Sequence, residues 1–348
     1  MRTLEWDDEK LELLLIDQRL LPDQFEIFVC RTYQDVVVAI RDMIVRGAPA
    51  IGAAAAFGMA LAVCRPETGT SDDLHALLRR AAGDLLASRP TAVNLAWGVQ
   101  RMLKVADDAA LTLSDISQRL IAEAKRIAEE DVETNKRMAV HGAALIQDGD
   151  TIIHHCNTGS LATVDWGTAL GVIRMAHENG KRVHVLVDET RPRLQGARLT
   201  AWELEQYRIP YEIICDNAAG YFLRTGRAQK VFFGADRVAA NGDVANKVGS
   251  YMLALAAHAN DVPVFSVFPT TTVDLNLEHG DLIPIEERDC SEVLNIQIDG
   301  KPVTPKGAKA RNPAFDVTPN HLLTALVTEK GVIYPPFWQN LPRTILET

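Results

Sequence analysis

Apolar and polar positions recur in two different ways along the chain, and the change comes near residue 149. From residue 35 to residue 148 apolar side chains return every three or four positions, a spacing typical of amphipathic helices. One such face comprises Leu113, Ile116, Leu120, Ala124 and Ile127. Its helix is predicted to begin near Thr112, and Gly149 is a suitable stop for the helical region. Residues 1–148 are therefore predicted to form an N-terminal, mainly helical domain.

Strand-like runs occur on both sides of this helical region. Before it, the short apolar runs at residues 13–16 and 25–30 predict a small N-terminal β element. After it, five β-rich runs alternate with segments long enough for helices, at residues 151–156, 182–187, 211–215, 231–235 and 263–267. Runs that are apolar on both faces are typical of a parallel sheet covered by helices. Residues 149–348 are therefore predicted to form a Rossmann-like domain with a parallel sheet, which makes the fold class α/β.

Composition and charge restrict the kind of protein. The chain has 348 residues, of which 47% are hydrophobic and 24% charged, as in a folded globular protein of about two domains. A net charge of −10 argues against general binding to nucleic acid. The longest uncharged stretch, residues 47–64, is rich in Ala and Gly and is predicted to be a buried helix rather than a membrane span.

The cysteines and the N-terminus suggest the compartment. Five cysteines, scattered and without a C-x-x-C pair, do not form the pattern of a disulfide framework or a zinc cluster. The first ten residues are acidic and lack the basic region of a signal peptide. We therefore expect a cytoplasmic protein with no membrane partner.

Several cofactor motifs are missing from the sequence. It contains neither a G-x-G-x-x-G after a strand nor a G-x-x-x-x-G-K-[ST] loop, so the standard nucleotide cradles are absent. It has no H-E-x-x-H, and the adjacent His154 and His155 would point to opposite faces of a strand. We therefore expect no metal and no organic cofactor.

Two reactive side chains follow predicted strands, where ligands of α/β sheets bind. Cys156 ends the first run, ahead of a loop and a helix whose N-terminal amides would stabilise a thiolate; a buried structural cysteine is the alternative. Asp236 follows the apolar run at residues 231–235, where partial desolvation would suit it to donate a proton. Its alternatives are a helix cap or a partner for Arg237.

Further side chains are candidates for ligand contacts. Arg46, Gly47 and Ala48 precede a proline suited to a first helical turn, an arrangement that binds phosphate or is an ordinary loop–helix junction. Arg89 is a second cation ahead of a helix, or a solvated surface arginine.

The second half of the chain adds polar candidates. Gln195 lies beside Gly196 in a polar loop that either recognises sugar hydroxyls or is simply solvated. Asn246 and Lys247 are expected at the start of a helix near a strand end, as a ligand contact or as surface residues.

Several ordered motifs together resemble one family. They are Arg46–Gly52, Thr91–Trp97, His155–Gly159, Asp188–Pro192, Gly234–Arg237 and Asn246–Lys247. With these, nearly the whole chain resembles the methylthioribose-1-phosphate isomerases, in the superfamily that also holds regulatory subunits of translation initiation factor two B. One departure is His154, where a smaller residue is expected; it would share a strand face with Cys156.

The resemblance implies an activity and roles for residues. It implies that Cys156 and Asp236 are catalytic, in a homodimeric enzyme of methionine salvage without metal or organic cofactor. The substrate-binding residues it implies are Arg46, Gly47, Ala48, Arg89, Gln195, Asn246 and Lys247. The reaction converts 5-methylthioribose 1-phosphate into 5-methylthioribulose 1-phosphate.

The mechanism and the substrate leave alternatives open. In one version Asp236 protonates the ring oxygen and Cys156 moves the C2 proton as a thiolate; a hydride shift between the carbons is the other. Other substrates are ribose 1,5-bisphosphate and 5-deoxyribose 1-phosphate. A regulatory subunit that binds a sugar phosphate or nucleotide without chemistry is an alternative of a different class. An NAD-dependent oxidoreductase lacks support because the glycine fingerprint is missing.

Overall fold

The chain folds into two compact units. The computed structural model describes residues 1–64, 71–90, 92–107 and 113–346, with only the backbone described at 71–73 and 113–114. The first unit comprises Met1–Lys136 and Thr158–Gly167, and the second comprises Arg137–Asn157 and Thr168–Thr348. This division reflects where the chain packs, and the domain boundary predicted between residues 148 and 149 stays a prediction.

The helices lie in both units. Among the described residues they are α1 (Tyr33–Arg41), α2 (Ala48–Cys64), α3 (Ser71–Ser88), α4 (Val93–Ala106), α5 (Leu113–Ala143), α6 (Ala169–Glu178), α7 (Ala201–Gln206), α8 (Ala219–Arg224), α9 (Ser250–His258), α10 (Ser291–Leu294) and α11 (Phe337–Leu346).

The strands form four sheets in the described part of the chain. They are β1 (Leu4–Asp7), β2 (Glu12–Ile16), β3 (Ile27–Cys30), β4 (Thr151–His154), β5 (His184–Asp188), β6 (Tyr211–Ile214), β7 (Lys230–Phe233), β8 (Arg237–Ala239), β9 (Val244–Lys247), β10 (Val264–Val267), β11 (Val273–Asp274), β12 (Gln297–Ile298), β13 (Lys301–Pro302), β14 (Phe315–Thr318), β15 (Ala325–Thr328) and β16 (Gly331–Ile333).

The first unit is mainly helical and begins with the antiparallel sheet β1-β2-β3, which confirms the predicted N-terminal β element. Helix α2 is buried from Ala50 to Val63, which is the pattern of a core helix that is apolar on every side. Among the described residues, no helix is long and apolar enough to cross a membrane.

Helix α5 carries the predicted apolar face. Ile116, Leu120, Ala124 and Ile127 are all buried on it. Thr112 and the side chain of Leu113 lie outside the described residues. The helix ends at Ala143, and Gly149 comes later, with a φ of 89° in the turn before β4.

The second unit is built on a seven-stranded sheet of order β16-β15-β10-β7-β4-β5-β6. All five predicted runs are strands of this sheet, and all pair in parallel, which confirms the Rossmann-like prediction. Only β16 runs antiparallel to its neighbour.

Alternate residues of the sheet pack into two separate cores. On β7, Val231 and Phe233 join the core that contains Leu253 of α9, whereas Phe232 joins the core that contains Leu170 of α6. The sheet therefore has helices packed on both faces, and its central strands β7 and β10 are buried at every position. A smaller sheet of order β11-β8-β9-β14 belongs to the same unit.

Candidate active site

The direction in which the large sheet grows reverses between β4 and β7. From β4 the chain adds β5 and β6 on one side, and it then returns to place β7 on the other side of β4. At such a switch point a crevice opens at the carboxyl ends of the two central strands, and ligands of α/β proteins bind there. Cys156 follows β4 and Asp236 follows β7. The fold therefore places both predicted reactive groups at one switch point.

Cys156 is buried in a backbone conformation that is unusual for a residue with a side chain. Its φ is 65°, in the left-handed region. Its N–H donates to Thr190 Oγ1 at 2.9 Å, and its carbonyl accepts from Thr200 Oγ1 at 2.7 Å. Two threonines thus hold both backbone polar groups of the residue and maintain a conformation that is costly by itself.

The helix expected after the loop that follows Cys156 begins late in the chain. Residues 160–162 form one short 3₁₀ turn, and α6 begins only at Ala169. Stabilisation of the thiolate by helix amides stays a prediction. Before α6 begins, Gly159 and Gly167 form an isolated β-bridge that closes the loop. Their backbones lie so close together that a Cβ on Gly167 would be 2.4 Å from the Gly159 backbone.

Asp236 lies three residues beyond the end of β7 and is exposed. The expected withdrawal from water is therefore wrong for this chain by itself, because the apolar strand ends before the carboxyl. No helix starts there, since β8 begins at Arg237, so Asp236 is not a helix cap. The Asp236 N–H donates to Ala245 O at 2.8 Å, and Arg237 forms an ion pair with Asp274 at 3.6 Å.

Lys247 and Asn246 lie on β9, not at the start of a helix as expected. Helix α9 begins only at Ser250, whose hydroxyl accepts from the Asn246 side-chain amide at 2.9 Å. The predicted helix starts too early, because β9 is short and ends in polar residues and so does not look like a strand in the sequence. Both side chains are buried, so the alternative of a surface lysine is also wrong.

The charge of Lys247 depends on its surroundings. Its Nζ donates to Ala314 O at 2.5 Å and lies 4.5 Å from the centre of the Phe315 ring. Burial lowers the pKa of Lys247 to about 8, with Arg288 adding to this effect and the charges of Cys156 and Asp236 opposing it. An ammonium group in electrostatic range of both the thiol and the carboxyl therefore completes the site.

Gln195 is buried next to a close approach of two backbone segments. A Cβ on the following residue, Gly196, would lie 1.7 Å from Asp188 O, so only glycine fits there. Gln195 Oε1 has no hydrogen-bond partner among the described residues. A buried amide oxygen in need of a donor suits recognition of a hydroxyl group. The alternative of a solvated loop does not describe this side chain.

Arg46, Gly47, Ala48 and Arg89 belong to the first unit. Gly47 has a φ of 98°, and a Cβ there would lie 2.3 Å from Ala162 O; α2 then begins at Ala48. Arg46 and Arg89 are both half-buried, and Arg89 lies ahead of α4.

Helices α2 and α4 touch near their N-termini. A Cβ on Gly52 would lie 2.8 Å from Asn94 O. The N-cap of α4 is Ala92, which offers no side-chain acceptor to the first amides. Two helix N-termini with nearby arginines form a setting that favours an anion.

A buried pair next to Cys156 was missed by the sequence reasoning. His155 Nδ1 lies 2.8 Å from Asp188 Oδ2, and His155 Nε2 donates to Val248 O at 3.0 Å. Burial raises the pKa of Asp188 to about 6; the hydrogen bond and charge of Asp188 outweigh burial and raise the pKa of His155. The available signal was that His155 lies in the predicted run at residues 151–156 and Asp188 directly follows the run at residues 182–187, so both were expected near strand ends.

The same pair lies close to Asp216, and atoms of the three residues come within 4.8 Å of one another. Both imidazole nitrogens are engaged, and the Asp216 oxygens accept the N–H groups of Thr190 and Arg191 at 2.7 and 2.8 Å. This is the pattern of an internal hydrogen-bond network, not of an open set of metal ligands.

His154 is buried, and burial followed by the charge of His155 lowers its pKa to about 3. It is therefore neutral near pH 7 and adds no positive charge to the chain segment just before Cys156.

Comparison with known proteins identifies the family. The model of the Initiation factor 2 subunit family matches residues 44–335. The chain belongs to this family. Its fold accordingly matches that of solved members, which confirms the predicted fold class.

Relatives within the Initiation factor 2 subunit family carry two kinds of name. The chain is 50% identical over 340 residues to "Methylthioribose-1-phosphate isomerase 2" of Pseudothermotoga lettingae, covering 98% of this chain and 97% of that one. It is similar to the crystal structure of 5-methylthioribose 1-phosphate isomerase from Pyrococcus horikoshii, with a TM-score of 0.93 and 42% identity over 99% of this chain and 95% of that one. A structure from A. fulgidus, named translation initiation factor eIF-2B subunit delta, has a TM-score of 0.90 and 42% identity over 99% of each chain.

Proposed function

We propose that this chain is an aldose–ketose isomerase that converts 5-methylthioribose 1-phosphate into 5-methylthioribulose 1-phosphate, a step of methionine salvage. The observation that carries the proposal is the switch point, where Cys156 and Asp236 follow neighbouring strands and both act electrostatically on the buried Lys247. The names of relatives that are 50% identical over nearly the full length support the same reaction.

The proposed roles follow from what each group is able to do. Asp236 gives a proton to the ring oxygen, which opens the sugar while the phosphate stays attached. Because Asp236 is exposed, the bound sugar must itself cover the carboxyl to keep it protonated. Cys156 is buried and works away from water, where it takes the C2 proton as a thiolate.

We assign substrate binding to two groups of residues. Arg46, Gly47, Ala48 and Arg89 are proposed to bind the phosphate, because they lead into two helix N-termini with open amides. The sugar is proposed to contact the remaining three residues, namely Gln195, Asn246 and Lys247. No step of this mechanism calls for a metal or an organic cofactor.

Turnover of the purified protein tests the proposal. We expect ketose to form from 5-methylthioribose 1-phosphate, and Cys156→Ser and Asp236→Asn to lose most turnover while keeping the parent circular dichroism spectrum. Cys215→Ser is the matched control, since Cys215 also lies just beyond a strand of the large sheet but is exposed. Parent-level turnover in Cys156→Ser or in Asp236→Asn would remove that residue from the mechanism.

Running the reaction in deuterated water separates the two routes for hydrogen. A proton relay through Cys156 introduces solvent deuterium at C1, whereas a hydride shift keeps the original hydrogen there. Deuterium at C1 of the product would overturn the hydride shift.

Two other substrates and one other class of function remain as outcomes of the same assay. Ribose 1,5-bisphosphate and 5-deoxyribose 1-phosphate are offered in parallel, and the largest kcat/KM identifies the substrate. The A. fulgidus relative favours a second candidate, a regulatory subunit that binds a sugar phosphate without turnover. Binding of all three sugars with no product from any of them would support that reading.

We also propose a cytoplasmic homodimer that binds neither nucleic acid nor membranes. All five cysteines lie in the described part of the chain and none forms a disulfide, as in a reducing compartment. Light scattering is expected to give twice the 38.2 kDa mass of the chain. A mass of one chain would overturn the dimer.

A further inference from the structure

His155 connects the ends of three strands at the switch point. It stands between the last residue of β4 and Cys156, and its side chain is buried. Its Nδ1 meets Asp188, the last residue of β5, and its Nε2 meets the carbonyl of Val248, the residue after β9. One imidazole therefore bridges the segment that carries Cys156, the neighbouring strand and the segment that carries Lys247.

We propose that His155, held by Asp188, is a positioning residue that sets the Cys156 sulfur relative to Lys247 and Asp236. This inference rests on the proposed function, because it assigns His155 to the alignment of that reaction's groups. Cys156 has a disfavoured positive φ, so the chain would relax out of it unless its neighbours prevent this. His155 is the adjacent residue, and both of its ring nitrogens are anchored.

The turn on the far side of the ring is built closely around it. Gly249 has a φ of 107°, and a Cβ there would lie 2.8 Å from His155 Cε1. The Asp316 carboxylate accepts the Gly249 N–H at 2.6 Å and the Tyr251 N–H at 3.1 Å. The turn is thus held from both sides, by Asp316 and by the imidazole. Lys247, directly ahead of this turn, is held with it.

The proton count of the pair determines which variants are conservative. A carbonyl only accepts, so Nε2 carries the proton that binds Val248. Nδ1 either donates to the Asp188 carboxylate or accepts from its protonated form. Asp188→Asn keeps a donor for Nδ1 and the same shape. Asp188→Leu has a similar volume but removes the bond.

Two further substitutions at His155 test its two hydrogen bonds separately. His155→Asn places an amide near the position of Nδ1 and keeps the bond to Asp188, whereas His155→Gln reaches toward Val248 and keeps that bond. His155→Ala removes both. His184→Asn is the matched control, because His184 pairs with Glu212 at 3.2 Å on the exposed edge of the same sheet.

We expect a split between kcat and KM. A displacement of about 1 Å in a reacting group lowers turnover by about 100-fold. His155→Ala and Asp188→Leu are therefore expected to lower kcat by about 100-fold while KM changes less than threefold. His155→Asn and Asp188→Asn, which keep the hydrogen bond between positions 155 and 188, are expected to recover part of the loss. His184→Asn is expected to keep the parent kcat.

Site-resolved alkylation gives a second readout that does not depend on turnover. Iodoacetamide labelling, followed by mass spectrometry of each cysteine peptide, is expected to change in rate at Cys156 in His155→Ala. The rate at the exposed Cys215 is expected to stay that of the parent. Circular dichroism and melting curves identify the variants that fold. If His155→Ala does not fold, the near-isosteric variants His155→Asn and Asp188→Asn provide the test.

The outcomes distinguish the two proposals. If folded His155→Ala and Asp188→Leu keep the parent kcat and the parent alkylation rate at Cys156, the positioning role is overturned. If kcat falls together with the melting temperature, KM changes as well, and no conservative variant recovers activity, the role of His155 is only structural. If the parent itself turns over no sugar phosphate, the proposed function fails, and the alkylation rates alone then test the positioning of Cys156.

Discussion

Lys247 illustrates how burial changes the working range of a single side chain. An ordinary lysine has a pKa near 10.4 and stays largely charged up to that pH. Burial, followed by the charge of Arg288, lowers the pKa of Lys247 to about 8. Its ammonium charge is therefore lost when the pH rises through about 8.

We expect kcat/KM for the sugar phosphate to fall as pH rises above about 8, because kcat/KM reports the free enzyme and we propose that the cationic form of Lys247 binds the substrate. Lys247→Arg keeps its charge over this range, so its profile is expected to flatten even if its kcat is lower. The measurement is kcat/KM from about pH 6.5 to about pH 9.5, a range that brackets this pKa.

The control for this profile is Lys230→Arg. Lys230 is another buried lysine of the second unit, paired with Asp150 at 2.7 Å. It is expected to keep the parent profile. A decline in Lys247→Arg as steep as that of the parent would assign the titration to another group.

Residue chemistry at the site was only partly readable from the sequence. Cys156 and Asp236 were found because each follows an apolar run that must be a strand. The exposure of Asp236 was not predictable, because it depends on where β7 ends relative to the neighbouring strands. The His155–Asp188 pair depends on the register between β4 and β5, which one chain's apolar pattern does not contain.

At the scale of elements, strands that are buried on both faces were predictable and the small sheet was not. β7 and β10 are buried at every position, and three of the four residues in each strand are apolar. β9 pairs with β14, which lies far along the chain, and ends in Asn246 and Lys247. A short strand with polar ends gives no periodic signal, and long-range antiparallel pairing leaves none in the local sequence.

The crossing of α2 and α4 leads to a prediction about stability. A Cβ on Gly98 would lie 2.6 Å from Gly52 O, which is backbone and unable to move aside. We expect Gly98→Ala to lower the free energy of unfolding by roughly 1–3 kcal/mol, the usual cost of overpacking. Urea denaturation of the parent and the variant measures the difference.

Gly83 provides the matched control for this crossing. It lies within α3, and a Cβ added there would have no atom of the described residues within 4 Å. Gly83→Ala is therefore expected to raise the free energy of unfolding by about 0.5–1 kcal/mol, since alanine is the better helix former. Equal stability of Gly98→Ala and the parent would mean that the helices separate at little cost.

At the scale of the whole molecule, the two units carry different chemistry. The first presents arginines and helix N-termini, which suit an anion, and the second presents a thiol, a carboxyl and a buried lysine at a sheet switch point. The overall charge of −10 makes local cationic groups the means of attracting a phosphate.

The dependence of stability on pH gives a prediction for the whole molecule. On α5, Asp131 accepts the Val164 N–H at 2.7 Å and the Asn135 amide at 3.0 Å, yet burial outweighs both bonds and raises the pKa of Asp131 to about 7. Between about pH 4 and about pH 7 the folded state therefore holds a proton that the unfolded chain has released. The free energy of unfolding then decreases as pH rises through this window, by at most about 1.4 kcal/mol per pH unit.

Asp131→Asn cannot release a proton, so its free energy of unfolding is expected to gain on that of the parent as pH rises from about 4.5 to about 8. Urea denaturation at the two pH values measures this gain. Glu129→Gln is the matched control because it removes a carboxyl from the exposed part of the same helix, and it is expected to follow the parent. Because the expected effect is a difference between two pH values, an equal offset at both would show only a changed contact and would contradict the buried proton.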